Sequence, residues 1–323
     1  MRILVLGGGG FIGGHLTTKL HREGHYVVPV DIKNEPDYPN EFHRYIRADL
    51  RDPYIVNSIM KNIDREPWDE IYQLAADMGG AEYIFSGEND ANVMHNSALI
   101  NLNVAKAVVA YAPTAKLFFS SSACVYCEDP DNPFCHEDSA YPAEPDSAYG
   151  WEKLFSENMY AAAQRNYKLD VRVARFHNIF GPKGTWRGGK EKAPAAIMRK
   201  IAEASEHDII DVFGAGTQTR SFLHIDECLE GVLRLMRADK SYPPTNIGSD
   251  EMVSINTLVW MVAGIAGKQI KTRHVDGPLG VNGRCSDNRL IQERLGWRPN
   301  EALEAGLRKT YPWIEEQVKS WKS

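Results

Sequence analysis

Residues 2–14 read RILVLGGGGFIGG. An apolar run of strand length enters a glycine-rich turn, and residues 11–23 continue with helical character until Gly24 stops them. Gly7, Gly10 and Gly13 stand three apart. Glycine at such positions permits a tight turn, close approach of backbone N–H groups to a pyrophosphate, and close packing of the helix on the strand. A glycine pattern alone is weak, but its surroundings strengthen it. The next apolar run, YVVPVD, closes on Asp31, eighteen positions past Gly13. An acid there suits the free ribose 2′-hydroxyl of NAD and repels the 2′-phosphate of NADP, although Lys33 lies close by. Gly7, Gly10, Phe11, Ile12, Gly13 and Asp31 are therefore the first candidate cofactor contacts.

Working outward, strand and helix patterns alternate. FHRYI is followed by a helix opened by Asp52 and Pro53, then EIYQL, a helix over about 92–111, KLFFS, a helix over about 148–166, and DVRVARF. This predicts an α/β protein with a Rossmann-type, doubly wound parallel sheet covered on both faces. Asp49, Leu50, Leu74, Ala75 and Ala76 fall just past strand ends, where such sheets bind ligands, and are assigned to the adenine side and the cofactor backbone. After Phe176 the glycine- and lysine-rich HNIFGPKGTWRGGKEKAPAA leads to a helix through about Ser205. Then come the strand IIDVFG, a loop holding Thr219, Arg220, Ser221 and Phe222, a helix over 227–236, and NIGSDEMVS before a helix from Ser254. The strand IKTRHV, a loop GPLGVNGRCSDN and two further helices complete the chain. The division expected is an NAD-binding domain over 1–177 and a smaller mixed α/β substrate-binding domain over 178–323, with about 216–247 packing back on the first. Leu102 and Tyr160 lie outside a single inward stripe of their helices, which leaves a dimer interface and ordinary core packing both open.

Bulk properties narrow the function. At 323 residues the chain holds about two domains and can bury a full core. A formal charge of -6 gives no global basis for nucleic-acid or anionic-membrane binding, so any phosphate site is local. No apolar run approaches the ~18 residues of a membrane span. The five cysteines, an odd count without a secretory leader, read as reduced thiols rather than a disulfide framework. A soluble, cytoplasmic protein is expected.

The chemistry concentrates in FFSSSACVY (118–126) and AYGWEKL (148–154). Tyr149 and Lys153, four apart on a helix, emerge on one face. A phenol of pKa ~10 is acidified by a nearby ammonium. Ser122, at the end of an apolar run, would bind the same substrate oxygen, and the three make a hydride-transfer centre. Cys124 adds a second acid/base group. Cys-x-x-Cys with Cys127, Cys135 and His136 admits a metal or redox reading, but the first cysteine ends a strand instead of opening a helix. No metal is expected. Inert burial of Cys124 is the plain alternative, opposed by its place beside Ser122. Lys183, Arg187, Lys190, Lys192, Arg199 and Lys200 form a basic run interleaved with glycine, suited to folding over a diphosphate. Arg220 and Arg284, both placed in loops, could complete that anion site.

The order of these features resembles, over nearly the whole chain, the extended short-chain dehydrogenase/reductase family of nucleotide-sugar enzymes. The blocks LAADMGG (74–80), SSAC (121–124), PAEP (142–145), YGWEK (149–153), RFHNIFGP (175–182), GTWRGGKEKAPAA (184–196), QTRSF (218–222) and GRCSDN (283–288) are similar to members that invert C3 and C5 of GDP-mannose. The resemblance implies bound NAD, GDP-mannose as substrate and a homodimer. By the same resemblance Cys124 is the base and Lys192 the acid of epimerisation, with Tyr149 the base of the hydride step. Gly79, Gly80, Ser122, Ala123, Asn178, Glu191, Lys200, Arg220 and Arg284 would meet the sugar nucleotide. Two departures stand out: Cys127 where a proline is expected, and Cys285 where an asparagine is. The chain opens at its first strand and is expected to lack the N-terminal extension of plant members.

The chemistry is coherent on its own terms. A ketone at C4 acidifies the hydrogens on C3 and C5 through one shared enolate oxygen. Inversion then needs a base and an acid on opposite faces, and a thiol of pKa ~8.5 with a desolvated lysine suits that task. The rivals are a nucleotide-sugar 4-epimerase, which needs no pair besides the tyrosine, and a 4,6-dehydratase, which would place Asp-Glu where this chain has Ala123 and Cys124. A non-catalytic NAD-binding sensor would be expected to lose Tyr149 or Lys153.

Overall fold

The structure is a computed structural model that describes residues 1–61, 66–129, 131–277 and 282–322. In chain order come β1 (Arg2–Leu6), α1 (Phe11–Arg22), β2 (Tyr26–Asp31), β3 (Ile46–Arg47), α2 (Pro53–Lys61), β4 (Glu70–Gln73), α3 (Ala81–Phe85), α4 (Asp90–Tyr111) and β5 (Lys116–Ser122). Next are β6 (Phe134–Cys135), α5 (Ala148–Tyr167), β7 (Asp170–Phe176), β8 (Ile179–Phe180), α6 (Ala193–Glu203), β9 (Ile209–Phe213), β10 (Thr219–Ser221), β11 (Leu223–His224) and α7 (Ile225–Arg237). The chain closes with β12 (Thr245–Ile247), β13 (Met252–Ser254), α8 (Ile255–Ala266), β14 (Lys271–Val275), β15 (Gly283–Ser286), α9 (Arg289–Leu295) and α10 (Leu303–Lys322).

Seven strands form one parallel sheet in the order β12-β7-β5-β4-β1-β2-β3, the doubly wound architecture expected from the alternating pattern. The order reverses beside β1, which pairs with β2 on one side and β4 on the other. A crevice opens at such a reversal, outside the carboxyl ends of the strands. The sheet is apolar on both faces because its strands alternate between two cores. Leu4 and Leu6 pack with α2, α4 and α5 residues on one side. Ile3 and Val5 pack with Leu16, Leu20 and α7 residues on the other. A third core joins α6, α8 and α10 through Met198, Ile201, Val262, Leu307 and Ile314, all nearly inaccessible.

Several local expectations need correction. FHRYI contributes strand only at Ile46, because its earlier side chains turn to other partners. His43 stacks on Tyr26, and the Tyr45 hydroxyl donates to Lys33 O. The segment of Thr219 to Ser221, read as loop, is β10 in a four-stranded sheet of order β13-β10-β15-β6. The predicted loop GPLGVNGRCSDN contains β15, while its residues 278–281 lie outside the described residues. Arg220 and Arg284 are therefore on neighbouring strands, directly paired in register, and not in loops. Tyr160 is core: it is fully buried, stacks on Phe119 and donates to Asn101. Leu102, by contrast, is exposed. Among the described residues no helix is long and apolar enough to cross a membrane.

Candidate active site

The glycine turn is built by backbone packing. Gly7 adopts φ +82°, and a Cβ there would lie 2.8 Å from Ala75 N, so β1 passes against the backbone that follows β4. A Cβ on Gly13 would lie 2.1 Å from Gly7 O, which presses α1 onto the turn. At Gly10 the nearest atom would be 3.6 Å away, leaving that side open. Asp31 stands at the end of β2 beside this turn and accepts from Gly9 N at 3.0 Å and Lys33 N at 3.2 Å. The Lys33 ammonium is held by Asp37 at 2.5 Å, so its charge is directed away from Asp31. Asp49 is gripped by the Arg51 guanidinium, which pulls its carboxyl below the usual range. Leu50 is buried and Leu74 packs at the edge of a core. Phe11 and Ile12 open α1, and Phe11 reaches the Gly181 and Gly184 positions of the stretch leading to Lys192.

At the end of β5 the Ser122 hydroxyl accepts from Cys124 N at 3.2 Å and starts one tight turn over Ala123–Val125. The same hydroxyl favours the charged forms of the Tyr149 phenol and the Cys124 thiol, lowering the proton affinity of each. Ser147 caps α5 by accepting from Gly150 N at 3.2 Å, as short hydroxyl side chains do. A Cβ on Gly150 would sit 2.0 Å from Cys124 O. Only glycine lets α5 press this closely on the turn, and this puts the phenol beside the thiol, in a small cluster with Ile84 and Val93. Lys153, also buried, donates to Ser120 O at 2.9 Å and lies 5.5 Å from the Tyr149 ring centre.

The electrostatics qualify one expectation. Burial pushes the Tyr149 phenol up, Cys124 and Glu152 add to that, and the Ser122 hydrogen bond only partly opposes it. Lys153, itself pulled down by burial, spends its ammonium on Ser120 O, so the phenol is not acidified as the Tyr/Lys spacing suggested. Cys124 is raised by burial and then by Asp146, against Arg284, the Ser122 hydrogen bond and Lys192. Lys192, at the start of α6, is lowered by burial, with the Cys124 and Cys228 charges opposing. Thiol and amine thus lie in each other's field, and their proton affinities move toward one another.

The remaining substrate candidates divide. Arg284 is buried on β15, pairs with Asp146 at 2.7 Å and donates to Tyr126 O at 3.2 Å. Arg220 donates to Thr219 O, and burial followed by Arg284 brings it down to about 10. Asn178, at φ +44°, donates to Ser221 O at 3.0 Å. A Cβ on Gly80 would lie 2.9 Å from the carbonyls of Lys190 and Glu191, so it seats the stretch before Lys192, while Gly79 packs on Tyr83. Glu191 is engaged by Arg199 at 3.1 Å and Gly189 N at 2.7 Å, and Lys200 donates to Asp211 O at 2.7 Å. Much of the basic run serves the protein itself: Lys183 bonds Pro39 O, Arg187 covers Trp321 and Lys190 covers Tyr83. Cys127 faces Glu128 O and Glu144, Cys135 is buried, and His136 pairs with Asp287, so the four candidate metal ligands turn to different neighbours. Sequence reasoning missed Gly150, although it sits inside the marked stretch AYGWEKL, and Asp146, which follows directly on the block PAEP.

A glycine turn on β1, an acid closing β2 and a Ser/Tyr/Lys cluster at the sheet's carboxyl edge define a nucleotide-sugar enzyme of the short-chain type. The profile of the NAD dependent epimerase/dehydratase family matches residues 3–248, and the chain belongs to that family. Its cofactor is NAD. The turn that admits no Cβ at Gly7 or Gly13, its open side at Gly10, and Asp31 with the neighbouring Lys33 paired to Asp37 fit that group. Over its whole length the chain is 43% identical to GDP-mannose 3,5-epimerase of Arabidopsis thaliana, of which it covers 84%. In fold it is similar to UDP-glucose 4-epimerase of Thermotoga maritima with UDP-glucose (TM-score 0.86, 24% identity, 98% of this chain and 100% of that one). It is likewise similar to UDP-glucuronic acid 4-epimerase of Bacillus cereus in complex with UDP-glucuronic acid and NAD (TM-score 0.83, 24% identity, 98% and 100%).

Proposed function

We propose that the chain is an isomerase that inverts C3 and C5 of GDP-mannose, giving GDP-L-galactose and GDP-L-gulose. The observation that carries this reading is the thiol of Cys124 and the amine of Lys192, electrostatically coupled beside Tyr149 and Ser122. A 4-epimerase has no use for that pair.

The cofactor NAD, held by Gly7, Gly10, Phe11, Ile12, Gly13, Asp31, Asp49, Leu50, Leu74, Ala75 and Ala76 together with Tyr149 and Lys153, supplies reversible acceptance of hydride from C4. Tyr149 takes the proton of the C4 hydroxyl, and Ser122 holds the same oxygen by a hydrogen bond. Their donors then face the charge that develops on that oxygen when a neighbouring C–H is broken. Cys124, as thiolate, removes a proton from one face of the ring, and Lys192, as ammonium, delivers one to the other. Lowering the ammonium brings it toward the working pH, where general acid–base catalysis is most effective, while raising the thiol narrows the gap in proton affinity between the two groups. Gly79, Gly80, Ala123, Asn178, Glu191, Lys200, Arg220 and Arg284 surround the sugar nucleotide, the last two supplying charge for the diphosphate.

The NAD-binding unit is taken as 1–177 and the substrate-binding unit as 178–323, the latter lending β12 to the large sheet. Homodimer formation is supported by Leu102 on α4 and Trp151 and Phe155 on α5, which are 43%, 46% and 50% exposed. The free cysteines support a cytoplasmic setting.

The test is incubation with GDP-mannose in deuterated water. Deuterium at both C3 and C5 is expected. Products carrying none there point to a 4-epimerase, and loss of water to a dehydratase; either overturns the reading.

A further inference from the structure

Among the described residues two ion pairs are buried on both sides, Arg175–Glu157 and Arg284–Asp146, and the proton transfers above use neither; the second has partners in the segment around Cys124. Arg284 on β15 and Asp146 before α5 have side chains only 7% and 8% exposed, with 2.7 Å between Nη1 and Oδ2. Arg284 is fixed further by Tyr126 O, and the other Asp146 oxygen accepts the Ser147 hydroxyl at 2.8 Å. Asp146 is held on both sides. Ser147 caps α5, and Pro145 Cβ lies 2.9 Å from the place a Gly150 Cβ would take. That same place is 2.0 Å from Cys124 O, so the segment bearing Asp146 is wedged against the turn that bears the thiol. A buried ion pair is weak support for stability, because desolvating two charges offsets most of their attraction. Charges placed around a functional pocket shift the proton affinity of the groups that line it.

We propose that Asp146 is a positioning residue for Cys124: its pair with Arg284 governs how much of the cysteine is thiolate and holds the guanidinium at the pocket. This rests on Cys124 being the base, and deepens that reading by giving the base a regulator 22 residues along the chain. The charged groups facing the thiol come from several elements. Asp146 disfavours the thiolate, while Arg284 and Lys192 favour it and Ser122 hydrogen-bonds it. Tyr149 and Lys153 on α5 and Arg220 on β10 share the same field. One pair thus applies opposite pulls to one sulfur. Removing either partner should move it in opposite directions, which a purely structural pair would not do.

The experiment is alkylation of the substrate-free protein by iodoacetamide over a range of pH, with the Cys124 peptide quantified by mass spectrometry. Asp146→Asn is expected to lower the midpoint by about one pH unit, the lower end for a lost like charge, and so to raise Cys124 labelling about tenfold below both midpoints. Asp146→Glu is expected to restore the midpoint. Arg284→Gln is expected to raise it. Midpoints that stay at the wild-type value, or that move the same way in both charge-removing variants, would overturn the assignment. Where Asp146→Asn does not fold, the Arg284→Gln arm decides: a rise supports the proposal and no rise defeats it. Because no turnover is needed, a shifted midpoint without deuterium incorporation from GDP-mannose keeps Asp146 as the regulator of Cys124 while removing the substrate reading.

Discussion

The cofactor side and the substrate side of the crevice are built by different means. Around Gly7 to Asp31 the geometry is set by close sequence neighbours: the Gly13 position abuts Gly7 O, and Asp31 bonds Gly9 N. Around Cys124 the partners come from far along the chain. Arg284 meets Asp146 across 138 residues, and Tyr126 reaches Asn246 across 120. The first is a motif largely contained in the β1–α1–β2 unit, closed on one side by the backbone at Ala75. The second exists only once several elements have docked, so its chemistry is sensitive to packing.

That contrast can be broken by substitution. The largest effect is expected for Cys124→Ala, which should cut deuterium exchange at C3 and C5 by about 10³-fold, within the range for a lost acid/base group. NAD should remain bound, read as cofactor retained after desalting. Exchange that persists would mean the base has been misnamed. Gly150→Ala comes next, because its Cβ would meet Cys124 O at 2.0 Å and displace the turn. Misplacement of this kind costs on the order of 10²-fold in kcat, and NAD affinity should hardly change. On the other side of the crevice, Gly13→Ala should do the reverse. It should weaken NAD binding and cost roughly 2 kcal/mol in urea unfolding, in the range for overpacking a tight contact.

The smallest effect sharpens the comparison through pH. His177 is buried behind the substrate side, bonds Asn246 through Nε2 at 3.0 Å, and is held down to about 3 by burial and then by Arg284 and Arg175. It is therefore neutral in the fold, whereas the unfolded chain protonates it below about 6.5. Its contribution is complete above that value and lost progressively as pH falls toward the folded value. Between pH 7 and 5 the loss should be about 2 kcal/mol, and His177→Gln should remove that part of the slope in paired denaturant titrations.

The same local-versus-distant distinction explains what could be read from residues alone. The parallel sheet was legible because alternating apolar runs, Gly24 and the Asp52-Pro53 start are local signals. Ser122, Tyr149 and Lys153 were legible from spacing and Cys124 from its place beside Ser122, whereas the division of base and acid between Cys124 and Lys192 came only through resemblance to a family. The strands β10, β13 and β15 were not legible. They hold three or four residues each, with Arg220 and Arg284 among them, and their register comes from distant partners instead of their own alternation. Asp146 and Gly150 escaped for a related reason. An acid before a helix cap and a glycine inside a helix look ordinary until the strand and turn they press against are in place.

The Lys33–Asp37 ion pair has a consequence for redesign. A cation already sits two residues past Asp31 and is restrained by one partially exposed carboxylate. Exchanging Asp31 for serine and Asp37 for asparagine would free that ammonium for a ribose phosphate, so two substitutions could retune the coenzyme preference of the scaffold without touching its glycine turn.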